Sequence, residues 1–215
     1  MLEKKFLELE YIDKGKSAAE IADKLDCSAG KVNYWLSKYG IPKRNLSQSQ
    51  YLKQNPNGNP YKLKKINSKQ DWFLYGLGLG LWWGEGNKVS KSAIRLGNTD
   101  ADLINYFLLF LREIYQVDES RLRFGLQIFS DINPRKAKTF WCKELNVHEN
   151  KFQKIVVSKP VNKGTYRRKC EYGVLTIYFS NTKIRDNIYD AIQALRTEGI
   201  ANIAQSVERI HGGSQ

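Results

Sequence analysis

The chain has 215 residues, 41% hydrophobic and 27% charged, the scale and balance of one medium globular domain plus a small one. Its formal net charge of +13 points to polyanionic partners, nucleic acid or an anionic membrane. The longest apolar run, Trp72 to Gly84, is too short and too glycine-rich to cross a bilayer, which needs roughly 20 apolar residues.

The N-terminus carries charges throughout and lacks an apolar signal core, so no targeting segment is expected. Cys27, Cys142 and Cys170 lie far apart with no CxxC pair, and only His148 and His211 could join them. That set argues against a zinc site and reads as reduced thiols in a cytoplasm.

In chain order, residues 1–45 read as short helices. Leu2, Phe6, Leu9 and Ile12 recur at helical spacing. Ser17 and Glu20 form a capping box opening a second helix through Ile21, Ala22 and Leu25. Ser28 caps a third, with Val32, Trp35 and Leu36 inward. This leaves Lys31, Asn33, Tyr34 and Lys38 outward, side chains suited to base edges and phosphates. The stretch from Ser17 to Arg44 resembles the helix-turn-helix of many bacterial regulators and recombinases, which implies DNA binding through the third helix. Residues 46–67 read as a basic linker: Pro56, Asn57, Gly58, Asn59 and Pro60 break regular structure, and Lys53, Lys62, Lys64 and Lys65 meet no acid. It is either a solvated tether or a strap along a phosphate backbone.

From Ser68 the pattern changes. A capping box of Ser68 and Asp71 opens a helix to Gly84, followed by a strand near Ser92–Gly97 and a long amphipathic helix from Asp100. Arg121 to Phe129 alternates strictly, placing Arg121, Arg123, Gly125 and Gln127 on one exposed face. Pro134 opens a helix to about Asn146, and Phe152–Val157 and Tyr172–Phe179 read as strands. A last helix follows Asn181 to about Leu195, and residues 198–215 form a tail. Interspersed helices and strands without a nucleotide-binding glycine loop give an α+β class. Trp141 reads as core and His148 as surface.

The first of these helices carries Gly76, Gly78, Gly80 and Gly84, each costing about 1 kcal/mol relative to Ala. Gly76, Gly80 and Gly84 line one face, which permits close contact with a second helix, and the remaining Leu and Trp side chains suggest burial nearly all round. Glu85 follows at the helix C-terminus, where the macrodipole disfavours a carboxylate. A Mg²⁺ ligand would account for it.

Gly78-Leu-Gly-Leu-Trp-Trp-Gly-Glu85-Gly86 resembles the LAGLIDADG motif of homing endonucleases in its GEG variant, and the likeness extends over about residues 68–197. The resemblance implies a saddle-shaped antiparallel sheet lying in the DNA groove, and a homodimer paired through Gly76, Gly80 and Gly84. It also implies that Glu85 of each subunit binds the catalytic Mg²⁺. The family keeps a basic residue near the cleavage centre, for which Lys88, Lys91 and Lys159 are the candidates. Lys91, Arg95, Arg121, Arg123, Gln127 and Lys154 are expected on DNA. So are Lys163, Arg167, Arg168 and Lys169, in an acid-free run from Lys151. Glu where Asp is commoner, a short hairpin after the motif and the extra helix from Pro134 depart from the family pattern.

Two functions follow: a site-specific homing endonuclease cutting both strands of duplex DNA, or a regulator with a LAGLIDADG-like core that binds without cutting. An RNA-splicing maturase is a third member type that nothing in the sequence selects. Membrane binding is disfavoured because the basic residues fall on strands and loops rather than on an amphipathic surface helix.

Overall fold

The computed structural model describes residues 1–159 and 171–199. The chain divides into two compact units, one spanning Met1–Asn59 and one beginning at Pro60.

The first unit opens with α1 (Lys4–Leu7), which runs into a π-helical turn, Glu8–Asp13. That wider turn changes which side faces inward. Leu7 and Tyr11 are buried, whereas Leu9 and Ile12 are 45% and 54% exposed. The inward set expected from α-helical spacing of Leu9 and Ile12 is therefore wrong, because a π turn holds an additional residue. α2 (Ala18–Lys24) begins at the expected capping box, with Ser17 Oγ accepting from Glu20 N and Glu20 accepting from Ser17 N. α3 (Ala29–Lys38) begins at Ser28, whose hydroxyl accepts from Lys31 N at 3.2 Å. Ile21, Ala22, Val32, Leu36 and Ile41 complete a small separate core.

The stretch read as the start of a linker instead forms α4 (Leu46–Gln54). Its signal is another capping box: Asn45 Oδ1 accepts from Gln48 N at 2.8 Å and Gln48 Oε1 from Asn45 N at 3.0 Å. From Pro60 on, that stretch belongs to the second unit. Lys62 N and Lys64 N donate to the carbonyls of Tyr115 and Ile114, and Tyr61, Leu63 and Ile66 pack on the second core.

The second unit is α+β. Its elements are α5 (Lys69–Glu85), β1 (Ile94–Asn98), α6 (Ala101–Glu113), β2 (Arg123–Phe129), α7 (Pro134–Glu144), β3 (Val156–Ser158), β4 (Val174–Phe179) and α8 (Thr182–Glu198). The strands form one sheet in the order β1-β4-β2-β3. β4 pairs antiparallel with both β1 and β2, but β3 joins β2 in parallel, with Gln127 opposite Val156. The sheet is mixed, not wholly antiparallel as expected. Phe152 makes only an isolated bridge to Phe124, so the strand expected over Phe152–Val157 starts later.

One sheet face is core: Ile94, Leu96, Phe124, Leu126, Ile128, Leu175, Ile177 and Phe179 are all buried. They join Phe107, Phe110 and Leu111 of α6, Trp141 of α7 and Ile184 and Ile188 of α8 in one cluster. At 25 cal/mol per Å², each such side chain contributes about 1.5–3 kcal/mol. The alternate residues of β1, β2 and β4 point the other way and are exposed or half-buried.

Candidate nucleic-acid interface and carboxylate site

α3 carries the first candidate group. Lys31, Tyr34 and Lys38 are exposed and Asn33 half-buried, because Val32 and Leu36 take the inward positions of the helix. Lys38 Nζ lies 4.7 Å from the Trp35 ring centre and 5.8 Å from that of Tyr34, so its charge rests on an aromatic shelf. Tyr39 stacks on Trp35 at 5.4 Å and extends that shelf. Trp35, expected inward, is only half-buried.

The second group sits on α5. Glu85 ends the helix and is exposed, and among the described residues it makes no hydrogen bond or ion pair. The chain then turns onto β1: Gly86 bridges Leu96, and Asn87 N donates to Arg95 O at 2.8 Å. Glu85 is thereby fixed where the helix hands over to the sheet margin. Lys88 Nζ lies 3.3 Å from the carbonyl of Gly84, which puts a cation on the negative end of the helix and close to Glu85. Lys91 is exposed on the same connection.

The α5 glycines divide into two kinds. A Cβ on Gly78 would lie 2.1 Å from the Phe110 ring, so Gly78 is what lets α5 approach α6. A Cβ on Gly76, Gly80 or Gly84 would meet nothing within 4 Å. Those three are exposed, beside Phe73 (70% exposed) and Trp83 (42%). Burial nearly all round, expected for this helix, is thus not met among the described residues: Tyr75, Gly78, Leu79 and Trp82 face inward, and on the other side the Arg196 guanidinium lies 5.1 Å from the Trp83 ring centre.

The outward sheet face forms the third group. Arg95, Tyr178 and Arg123 occupy one row across β1, β4 and β2, and Gly97, Thr176 and Gly125 the next. The Arg95 guanidinium lies 5.4 Å from the Tyr178 ring centre. Arg123 Nη1 donates to the carbonyls of Ser120 and Leu122, and Gln127 Nε2 to Ser158 Oγ at 3.2 Å. The two glycines keep the centre shallow, since a Cβ at Gly125 would lie 2.7 Å from the Tyr178 ring. Arg121 does not share this face. It closes a 3₁₀ turn, Glu119–Arg121, that Asp118 caps, and β2 begins only at Arg123.

Lys154 and Lys159 flank β3 and are exposed. Among the described residues β3 is the sheet margin, and Val156 and Val157 are both more than half exposed. Lys151, first in the acid-free run, is not available to a ligand in the same way. It pairs with Glu119 at 2.9 Å. Burial works against the Glu119 charge, but Arg112 and Lys151 outweigh it and hold the carboxyl below its ordinary range. Lys163, Arg167, Arg168 and Lys169 lie outside the described residues. Trp141 is core as expected, and exposed His148 accepts from Asn150 N to cap a 3₁₀ turn.

Among the described residues no three His, Cys, Asp or Glu side chains converge to hold a metal. Glu85 offers a hard oxygen ligand of the kind Mg²⁺ takes together with water and phosphate. A single exposed carboxylate is not by itself a metal site. Comparison with known proteins gives no match to a family model, a curated protein or a solved structure.

Proposed function

We propose that the protein is a homing-type DNA endonuclease that cuts both strands as a homodimer. The observation that carries this reading is on one helix: α5 pairs a glycine face that no described residue fills, flanked by exposed Phe73 and Trp83, with a carboxylate that has no partner among the described residues. Two copies packed along that face would bury the aromatic rings and bring both Glu85 side chains to a twofold axis. Like charges so placed favour a cation between them, and Mg²⁺ held there would activate water and stabilise the leaving oxygen. Lys88 and Lys159 supply positive charge for the phosphate being cut.

Binding is assigned to the open sheet face and to α3, read as the recognition helix of a helix-turn-helix. Arg95, Arg123 and Gln127 suit base edges in the major groove, and Lys91 and Lys154 suit phosphates. No helix among the described residues is long and apolar enough to cross a membrane.

The test is cleavage of a randomised duplex library in Mg²⁺ or EDTA, comparing the unsubstituted chain with Glu85→Gln and sequencing the cut ends. Metal-dependent double-strand cuts at one near-palindromic sequence, lost in Glu85→Gln, are expected. Sequence-specific retention without cuts, unchanged in Glu85→Gln, would remove the nuclease and leave a DNA-binding regulator.

A further inference from the structure

Charge in the first unit is segregated along the chain. No acidic side chain occurs between Asp26 and Asp71. The lysines before that point are largely consumed: Lys14, Lys16 and Lys24 all reach Glu10 within 2.9 Å, and Lys4 pairs with Glu8. After it, among the described residues, no carboxylate pairs with Lys31, Lys38, Lys43 or Lys53. Lys31 and Lys38 belong to α3. Lys43 lies just before α4, the helix that stands where a tether was expected, and Lys53 lies in its last turn.

α4 buries none of its residues fully, yet it is fixed. Arg44, just before it, donates through Nη1 to Gly15 O and through Nη2 to Lys16 O, and its guanidinium lies 4.1 Å from the Tyr11 ring centre. Leu52 packs over Gly15, whose added Cβ would lie 3.6 Å away. Half-buried Tyr51 and Leu52 define the inner side, so helical spacing puts Leu46, Ser49, Gln50 and Lys53 on the outer one, where all four are exposed. A rigid, acid-free outer face with hydroxyl, amide and ammonium donors suits a row of phosphate oxygens. An apolar or cationic partner would leave those donors unanswered.

We infer that α4 is a second DNA-contacting element of the first unit, taking duplex phosphates through Lys43, Ser49, Gln50 and Lys53. This rests on the DNA-binding part of the function proposed above and not on cleavage. Arg44 is the positioning residue that holds the helix to the unit.

The experiment is a salt titration of the full chain's affinity for a mixed-sequence duplex. Each phosphate contact contributes about 0.9 to the slope of log affinity against log salt. Lys43→Gln combined with Lys53→Gln is expected to lower that slope by about 2. Lys4→Gln combined with Lys5→Gln removes the same formal charge from α1 and is expected to leave it unchanged. Lys4, Lys5 and Lys53 stay helical as Gln, a good helix former, and Lys43 is exposed in the segment before α4, so folding is not at issue. Equal effects of the two pairs would reduce the result to net charge and overturn the inference. A loss seen with polyglutamate but not with duplex would assign the face to an acidic protein, which overturns it too. Failure of the unsubstituted chain to bind duplex at low salt would instead sink the DNA-binding reading itself.

Discussion

Glu10 is a carboxylate with only 1% of its surface exposed, one residue from buried Tyr11 and three from buried Leu7. It is held by Lys14 at 2.8 Å, Lys16 at 2.8 Å and Lys24 at 2.9 Å. Hydrogen bonds from those three ammonium groups keep its carboxyl far below the ordinary range. A carboxyl depressed on folding stabilises above its unfolded value, about pH 4.3, and the contribution is lost as pH falls below that. Glu10→Gln leaves three lysines facing one another without their counter-charge. We expect it to lower the melting temperature of the first unit at pH 7 and to flatten that unit's stability between about pH 5 and 3. Thermal unfolding at several pH values, followed by Trp35 fluorescence, checks this; an unchanged acid slope would count against the cluster. Nothing in the local sequence announced this site, because the π turn that carries Glu10 inward is invisible to a count of apolar residues at α-helical spacing.

At the scale of elements, the two kinds of glycine on α5 respond in opposite ways to the same change. Gly78→Ala collides with Phe110 and is expected to destabilise the second unit by about 1–3 kcal/mol. Gly76→Ala or Gly80→Ala meets open space and gains helix propensity, about 1 kcal/mol each, while a pairing that needs close backbones should weaken. Denaturant unfolding and sedimentation together read both effects; greater stability with unchanged self-association would argue against pairing through this face. The helix starts were legible in the sequence because caps are local: Ser17, Ser28, Ser68, Asp100 and Asn181 each accept backbone N–H bonds where expected. α4 was equally legible in principle, but its Asn45–Gln48 box lay beside Pro56–Pro60 and was absorbed into the break. The direction of β3 was not legible. Val156 meets Gln127 across the sheet, and period-two alternation says nothing about whether a partner runs parallel or antiparallel.

For the whole molecule, the two units have separate buried clusters, one around Ile21 and Leu36 and one around Phe110 and Trp141. Each is expected to give its own unfolding transition. Trp35 is the one tryptophan of the first unit, against Trp72, Trp82, Trp83 and Trp141 in the second. Trp35→Phe should remove one fluorescence transition and leave the other; loss of both, or a single shared midpoint, would show one cooperative body. The outward sheet face was readable in part at this scale: Arg123 and Gln127 are exposed as the alternation required. Arg121 was misplaced because the same alternation ran unbroken through a turn that Asp118 caps. β3 has one more consequence. A marginal strand showing two valines is a template on which strands of other molecules can grow into aggregates, and charged neighbours are what normally prevent it. Here Lys154 and Lys159 are those neighbours. Salt screens them, so the purified protein's tendency to precipitate should rise with ionic strength, and keeping it in dilute buffer protects the strand that a concentrated one exposes.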